Sequence, residues 1–312
     1  MQLCDPGELV ELLRRHPGLR PADYHDAQDR PLMTPGEVRA VGTHLQRQAD
    51  ARQRARPPLA PMQVIVFASG QGGTGKSGVA MHLACYLALR GFNLLLLGLD
   101  PYVPLRALLG GEGPSSHTLG LWLTGKHDYF GALPVETMWP GLRLLPTDAE
   151  VGRGSPRIAL GMMTRSDGGA SEDAIRVALG ALRGRGYDLV LIDCPTGLPL
   201  VARAALRAAS ALVVPMACTP AGLRNVADYL AAVGRVLAKP TPAAWPWPGG
   251  NATLDRYDFV RLVPSRLHPS DEHQATLHAS LLVDPDHLML PAIEDGQLPQ
   301  GVLKPEDVVV QV

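Results

Sequence analysis

The chain has 312 residues, 46% of them apolar and 19% charged, with a formal net charge of −1. That is enough apolar material for one large α/β domain, or one domain with a small appendage, and it excludes wholesale disorder. With charges so balanced no global field draws in nucleic acid, so any DNA contact has to come from a local patch.

Lysine is confined to Lys76, Lys126, Lys239 and Lys304, and the excess of arginine reads as genome composition. Cys4, Cys85, Cys194 and Cys218 show no CxxC spacing, and the last three lie in apolar stretches, as buried reduced thiols do. The start, MQLCDPGELVELLRRH, has neither a basic leader nor a long apolar run, and LLLLGL is far shorter than the ~20 residues a bilayer requires. The expectation is a cytoplasmic protein without a membrane partner.

Residues 1–60 read as a helical segment and a linker. ELVELLRRH is amphipathic, and TPGEVRAVGTHLQRQ opens with Thr34 as N-cap and Pro35 at the first helical position. ADARQRARPPLAP follows, basic and proline-bearing; it is either a solvated tether or an arm that touches DNA. From residue 61 to 312 the pattern is α/β. QVIVFA (63–68) is a buried strand ending in a glycine loop, and VAMHLACYLALR is a helix stopped by Gly91. NLLLLGLD (93–100) is the next strand, and GLRLLP (141–146) a further one. SEDAIRVALGALRGRG is a helix capped by Ser171; YDLVLIDCP (187–195) and SALVVPM (210–216) are strands. The helix AGLRNVADYLAAVGRVLA and the strand RYDFVRLVPSRL (256–267) complete the series. Alternation of this kind predicts a P-loop-like, mostly parallel twisted sheet with helices on both faces, plus the small N-terminal helical segment. Residues 151–170 and 239–251 look irregular.

The loop Gly70-Gln71-Gly72-Gly73-Thr74-Gly75-Lys76-Ser77 fits GxxxxGK[ST], and Gly78 follows it. Its glycines let backbone N–H groups turn toward phosphates, and the helix it opens adds a positive N-terminus. Lys76 is placed to reach the β- and γ-phosphates of ATP, and the Ser77 hydroxyl to ligate Mg²⁺. Asp193, at the end of YDLVLID, is the candidate second magnesium ligand; the alternative is a capping or loop aspartate. Asp100, closing the neighbouring strand before Pro101, would face the γ-phosphate and orient water; the alternative is a turn-forming Asp-Pro. Asp100 and Lys76 are thus the catalytic candidates. His268, His273, His278 and His287 are dispersed, as surface or structural histidines rather than zinc ligands. Arg203 and Arg207, four residues apart, read as a solvated helix face; the alternative is contact with DNA or acidic partners.

QGGTGKS (71–77), LGLDPYVPLRALLG (97–110) and LVLIDCPTGL (189–198) resemble, in order and spacing, the three motifs of the ParA/MinD family of deviant Walker ATPases. The nearest likeness is to RepA-type partition ATPases of repABC plasmids, through HLACYLALRGFNLLLLGLDP, YHDAQDRPLMTPGEVRAV and FVRLVPSRLHPSDEHQATLHASL. The resemblance implies a homodimer formed on ATP binding, non-specific DNA binding with nucleoid association, a ParB-like partner that stimulates hydrolysis, and a role in plasmid or chromosome segregation. It also shows departures. The family's signature lysine is Gln71 here, the first aspartate of DxDPQ is Gly98, its glutamine is Tyr102, and the second proline of IDCPP is Thr196. A lost transition-state cation costs roughly 10³–10⁵ in phosphoryl-transfer rate. The expectation is therefore retained ATP–Mg²⁺ binding with slow or absent hydrolysis. The alternatives are a non-hydrolysing ATP-binding regulator or degenerate ParA paralogue, and a DNA-binding autorepressor acting through residues 1–60.

Overall fold

Every residue of the strand Leu94–Gly98 is buried, a pattern that only a sheet covered on both faces produces. The computed structural model describes Arg15 and residues 33–52, 62–111, 118–123, 133–147, 159–162, 171–180, 182, 184–239, 257–265 and 308–310. The strands among them are β1 (Gln63–Phe67), β2 (Leu94–Gly98), β3 (Val135–Glu136), β4 (Leu142–Leu145), β5 (Leu189–Asp193), β6 (Ala211–Ala217), β7 (Phe259–Ser265) and β8 (Val308–Val310). They form one sheet in the order β3-β4-β2-β5-β1-β6-β7-β8. All neighbours run parallel except the β3–β4 pair at one edge.

Helices lie on both faces, and alternate residues of each strand feed the two cores. On one face α2 (Lys76–Leu89) and α3 (Leu105–Leu108) cover Phe67, Leu94, Leu96, Leu142, Leu144 and Leu191. On the other, α4 (Leu119–Leu123), α5 (Ala174–Gly180), α6 (Leu200–Ala208) and α7 (Pro220–Leu237) cover Val64, Val66, Leu95, Leu97, Val190 and Ile192. The strands expected from the sequence are present, with ends that differ from expectation by three residues at most. The sequence reading missed β3 and β8.

The signals at Thr34 and Gly91 operate as their chemistry requires, whereas Ser171, expected as a helix cap, instead opens a 3₁₀ turn over Ser171–Asp173 and the α-helix begins only at Ala174. In α1 (Pro35–Arg52) the Thr34 N–H donates to Glu37 Oε2 at 2.7 Å while the Glu37 N–H donates back to Thr34 Oγ1 at 3.3 Å, a reciprocal capping box. This helix runs four residues beyond the expected helical stretch, into what reads as linker. Gly91, with φ +100°, ends α2: its N–H donates to the Ala88 carbonyl and that of Phe92 to Leu87. Thr219 caps α7 by accepting from the Gly222 N–H at 3.0 Å. Cys194 and Cys218 are buried and Cys85 is half-buried, none of them in a disulfide.

Helix α1 is bolted to the C-terminal end of α2. Arg39 Nη1 donates to the carbonyls of Ala88 and Phe92 at 2.6 and 2.7 Å, and Nη2 to Asn93 Oδ1 at 2.7 Å. The backbones touch: a Cβ on Gly42 would fall 2.0 Å from the Leu89 carbonyl oxygen. Cys4, the segment ELVELLRRH apart from Arg15, the basic linker beyond Arg52 and the four C-terminal histidines lie outside the described residues.

Candidate functional site

The register of the central strands sets the site. Phe67 on β1 and Gly98 on β2 both pair with Asp193 on β5, so three strands end level at one edge of the sheet. The glycine loop leaves β1 there, and Asp100 follows β2 two residues past that level.

Within the loop, Gly73 (φ +69°) and Gly75 (φ +86°) take left-handed backbone conformations that side-chain-bearing residues resist. Gly75 is the N-cap of α2, and no atom lies within 4 Å of where its Cβ would be, so the approach to the helix N-terminus is open. The loop is braced from within: the Gln71 N–H donates to Ser69 Oγ at 3.2 Å and Thr74 Oγ1 to the Gln71 carbonyl at 3.4 Å. Tyr229 of α7 fills the space beside Gly70, where a Cβ would meet its ring at 3.1 Å. The structure thus brings residues 70–78, Asp193 and Asp100 to one edge.

Lys76, at the start of α2, is 6% exposed. Its ammonium donates to Thr196 Oγ1 at 3.0 Å and reaches the Gln71 carbonyl at 3.5 Å. Burial lowers its pKa, while the nearby charges of Asp193 and Asp100 oppose that shift. Asp193 has no exposed surface, and its carboxylate oxygens make no hydrogen bond of full geometry, although the Ser77 hydroxyl lies near enough to act on them. Burial pushes its pKa up to about 7; the Ser77 hydroxyl and Lys76 pull it down and Asp100 pushes it further up. A carboxylate buried without a partner costs several kcal/mol on the order-of-magnitude scale unless a cation offsets it. Asp100 accepts from the Tyr102 N–H at 3.0 Å, and the Tyr102 ring itself is 84% exposed.

Gly98 stands where the resemblance expects an aspartate. A Cβ there would fall 2.7 Å from Leu105 Cδ1, so the α3 leucine takes the space of the missing side chain. Beside it a cleft of about 190 Å³ is lined by Asp100, Pro101, Arg106, Thr118 and Thr147 among others.

In the sequence Thr196 is marked only by a hydroxyl in place of the second proline of IDCPP, and its partner is 120 positions away. Arg203 and Arg207 are not a solvated face. Arg203 Nε pairs with Glu172 at 2.7 Å, Arg207 Nε with Asp173 at 3.2 Å, and Arg207 is 2% exposed. Their carboxylate partners lie in a 3₁₀ turn, Ser171–Asp173, that leads into α5.

The AAA domain family (AAA_31) matches residues 62–242, more than half of the chain. A putative replication protein A of Sinorhizobium fredii is 29% identical over 69% of this chain and 52% of its own length. The chromosome partitioning protein ParA of Caulobacter vibrioides is 33% identical over 58% of this chain and 66% of its own. The matched stretch therefore spans about half of the first and just under two thirds of the second. Cobyrinic acid a,c-diamide synthase from Mycobacterium smegmatis, solved with an ATP analogue and magnesium, shares the fold at 23% identity, with a TM-score of 0.54 over 71% of this chain and 82% of that one. With that family match laid over the glycine loop and the strand ends described above, the chain belongs to the ParA/MinD family of P-loop ATPases.

Proposed function

We propose that this protein is a ParA-like partition or positioning factor that binds ATP with Mg²⁺ in the 70–78 loop, dimerises on the nucleotide, and hydrolyses it slowly. The observation that carries the reading is Asp193: a fully buried carboxylate without a hydrogen bond of full geometry, beside Ser77 in the first turn of α2 and a buried lysine. A cation next to it would offset the cost of its burial.

Among the described residues no group of three or more His, Cys, Asp or Glu gathers to hold a metal alone. That suits Mg²⁺, which keeps waters and shares its coordination with substrate phosphates rather than sitting in an all-protein cage. Ser77 and Asp193 would hold it, and when bound it supplies charge neutralisation to the phosphate oxygens. The chain's own contributions are separate. The loop N–H groups and the α2 N-terminus orient the polyphosphate. The Lys76 ammonium gives it a point charge from a site that excludes most water. Asp100, two residues past the level of Asp193, is the group for aligning a water against the γ-phosphate.

Gln71 sets the expected rate. A neutral amide there cannot offset charge on the transferring phosphoryl group, so binding outlasts hydrolysis. DNA and a ParB-like protein are the proposed partners, by likeness to the partition relatives.

The test measures nucleotide affinity and turnover side by side. Wild type should bind Mg-ATP and turn it over slowly, Lys76→Ala should lose binding, and Gln71→Lys should raise turnover at least ~10-fold, part of the range a restored cation gives. Fast wild-type turnover that Gln71→Lys leaves unchanged would sink the slow-hydrolysis reading. No turnover even with DNA and with the lysine restored would favour the second reading, a nucleotide-gated regulator, to which Gln71 also points.

A further inference from the structure

The segment that leaves β5 grips the glycine loop. Thr196 Oγ1 accepts from the Lys76 ammonium at 3.0 Å, and the Gly197 N–H donates to the Ser69 carbonyl at 3.1 Å. The Thr196 hydroxyl also lies against the loop backbone, 3.7 Å from where a Cβ on Gly72 would be. The far end of the segment is fixed as well: Arg203 Nη1 donates to the Leu198 carbonyl at 2.7 Å while its Nε is paired with Glu172.

An ammonium has three N–H donors and, once buried, needs acceptors for them. For Lys76 the Gln71 carbonyl at 3.5 Å is at the outer limit of a hydrogen bond, so among the described residues the Thr196 hydroxyl is its one short contact. A polyphosphate in the cradle draws on the same donors.

We propose that Thr196 is a positioning residue: its hydroxyl parks the Lys76 ammonium in the nucleotide-free protein, and nucleotide binding exchanges that bond for one to phosphate. This rests on the nucleotide reading of the loop. The parked contact stabilises the free state alone, so it weakens nucleotide binding by about its own worth. Its removal leaves the ammonium under-satisfied until phosphate arrives.

The experiment uses the full chain with Thr196→Val, which keeps the shape and removes the hydroxyl, and with Thr196→Ala and Thr196→Ser. Calorimetry gives the Kd for Mg-ATP and Mg-ADP. The expected result is roughly three- to tenfold tighter binding in the valine and alanine variants, the size of one hydrogen bond's net contribution, with wild-type affinity restored by serine. A second readout needs no ligand. The chain has four lysines, so ¹⁵N-lysine-labelled protein carries four side-chain ammonium groups, and Lys76→Arg assigns the one at issue. That signal should shift and exchange faster with water in Thr196→Val and stay in place in Thr196→Ser. Unchanged or weaker nucleotide binding in folded Thr196→Val would overturn the exchange, because the hydroxyl would then assist the bound state or do nothing. An unmoved Lys76 signal would overturn the contact itself. Equal nucleotide binding by Lys76→Ala and wild type would instead overturn the nucleotide reading, and the exchange with it, while the ammonium signal still reports separately on the contact.

Discussion

Asp193 ends a strand whose other residues are Leu, Val, Leu and Ile, and it is buried with Val190, Leu191 and Ile192. Its pKa of about 7 lies above the ordinary 3.8, so between those values the folded state holds a proton that the unfolded chain has released. This group's stabilisation is therefore full below about pH 4 and is lost as pH rises through about 7. The nucleotide-free protein should melt at a lower temperature at pH 8 than at pH 5 on account of this residue, and Asp193→Asn should flatten the difference; melting curves of both at the two pH values decide it. The aspartate and the glycine loop were legible in the sequence, because a charge closing an apolar run and a Gly-rich segment opening a helix are each local patterns. The Lys76–Thr196 contact was not, since it depends on how β5 lies beside β1. Gly98 was visible as a departure, but its reason, the Leu105 side chain in the vacated space, exists only once α3 is packed.

Among the elements, the 3₁₀ turn before α5 carries an ion network that the linear sequence disguised. Charged residues four apart on a helix usually face water. Arg203 and Arg207 turn inward because Glu172 and Asp173, some thirty residues earlier, are buried against α6. Burial opposes the charge on Glu172, but hydrogen bonds from Lys239 and Arg203 outweigh it and hold the carboxyl below its usual range. The sign is opposite to that of Asp193: this group stabilises the fold above about pH 4.5, and the benefit is lost as pH falls through its lowered value. Glu172→Gln should cost ~1–3 kcal/mol at neutral pH, and the gap from wild type should close in acid. Urea titrations at pH 7 and below pH 4 measure both. If the gap persisted in acid, the residue would be acting through packing rather than charge.

For the whole molecule, the parallel sheet could be read from its apolar runs because covering both faces leaves no polar alternation to confuse them. β3 and β8 could not, being two and three residues long and recognisable only by their pairing with β4 and β7. The seat of α1 on α2 was equally hidden, since Arg39 reads as an ordinary surface arginine until the Ala88 and Phe92 carbonyls are seen beneath it. Gly42→Ala should destabilise the protein by ~1–3 kcal/mol, because the new methyl meets backbone that cannot step aside. A melting temperature equal to wild type would show that the two helices are not held as closely as described. The same seat bears on how the protein is cut for study. A fragment begun at residue 61, where the ATPase pattern starts, would lose the guanidinium that satisfies two carbonyls at the end of the nucleotide-loop helix and lay the backbone around Leu89 open to water. Assays on such a trimmed piece would then report on a P-loop whose supporting helix has lost its brace.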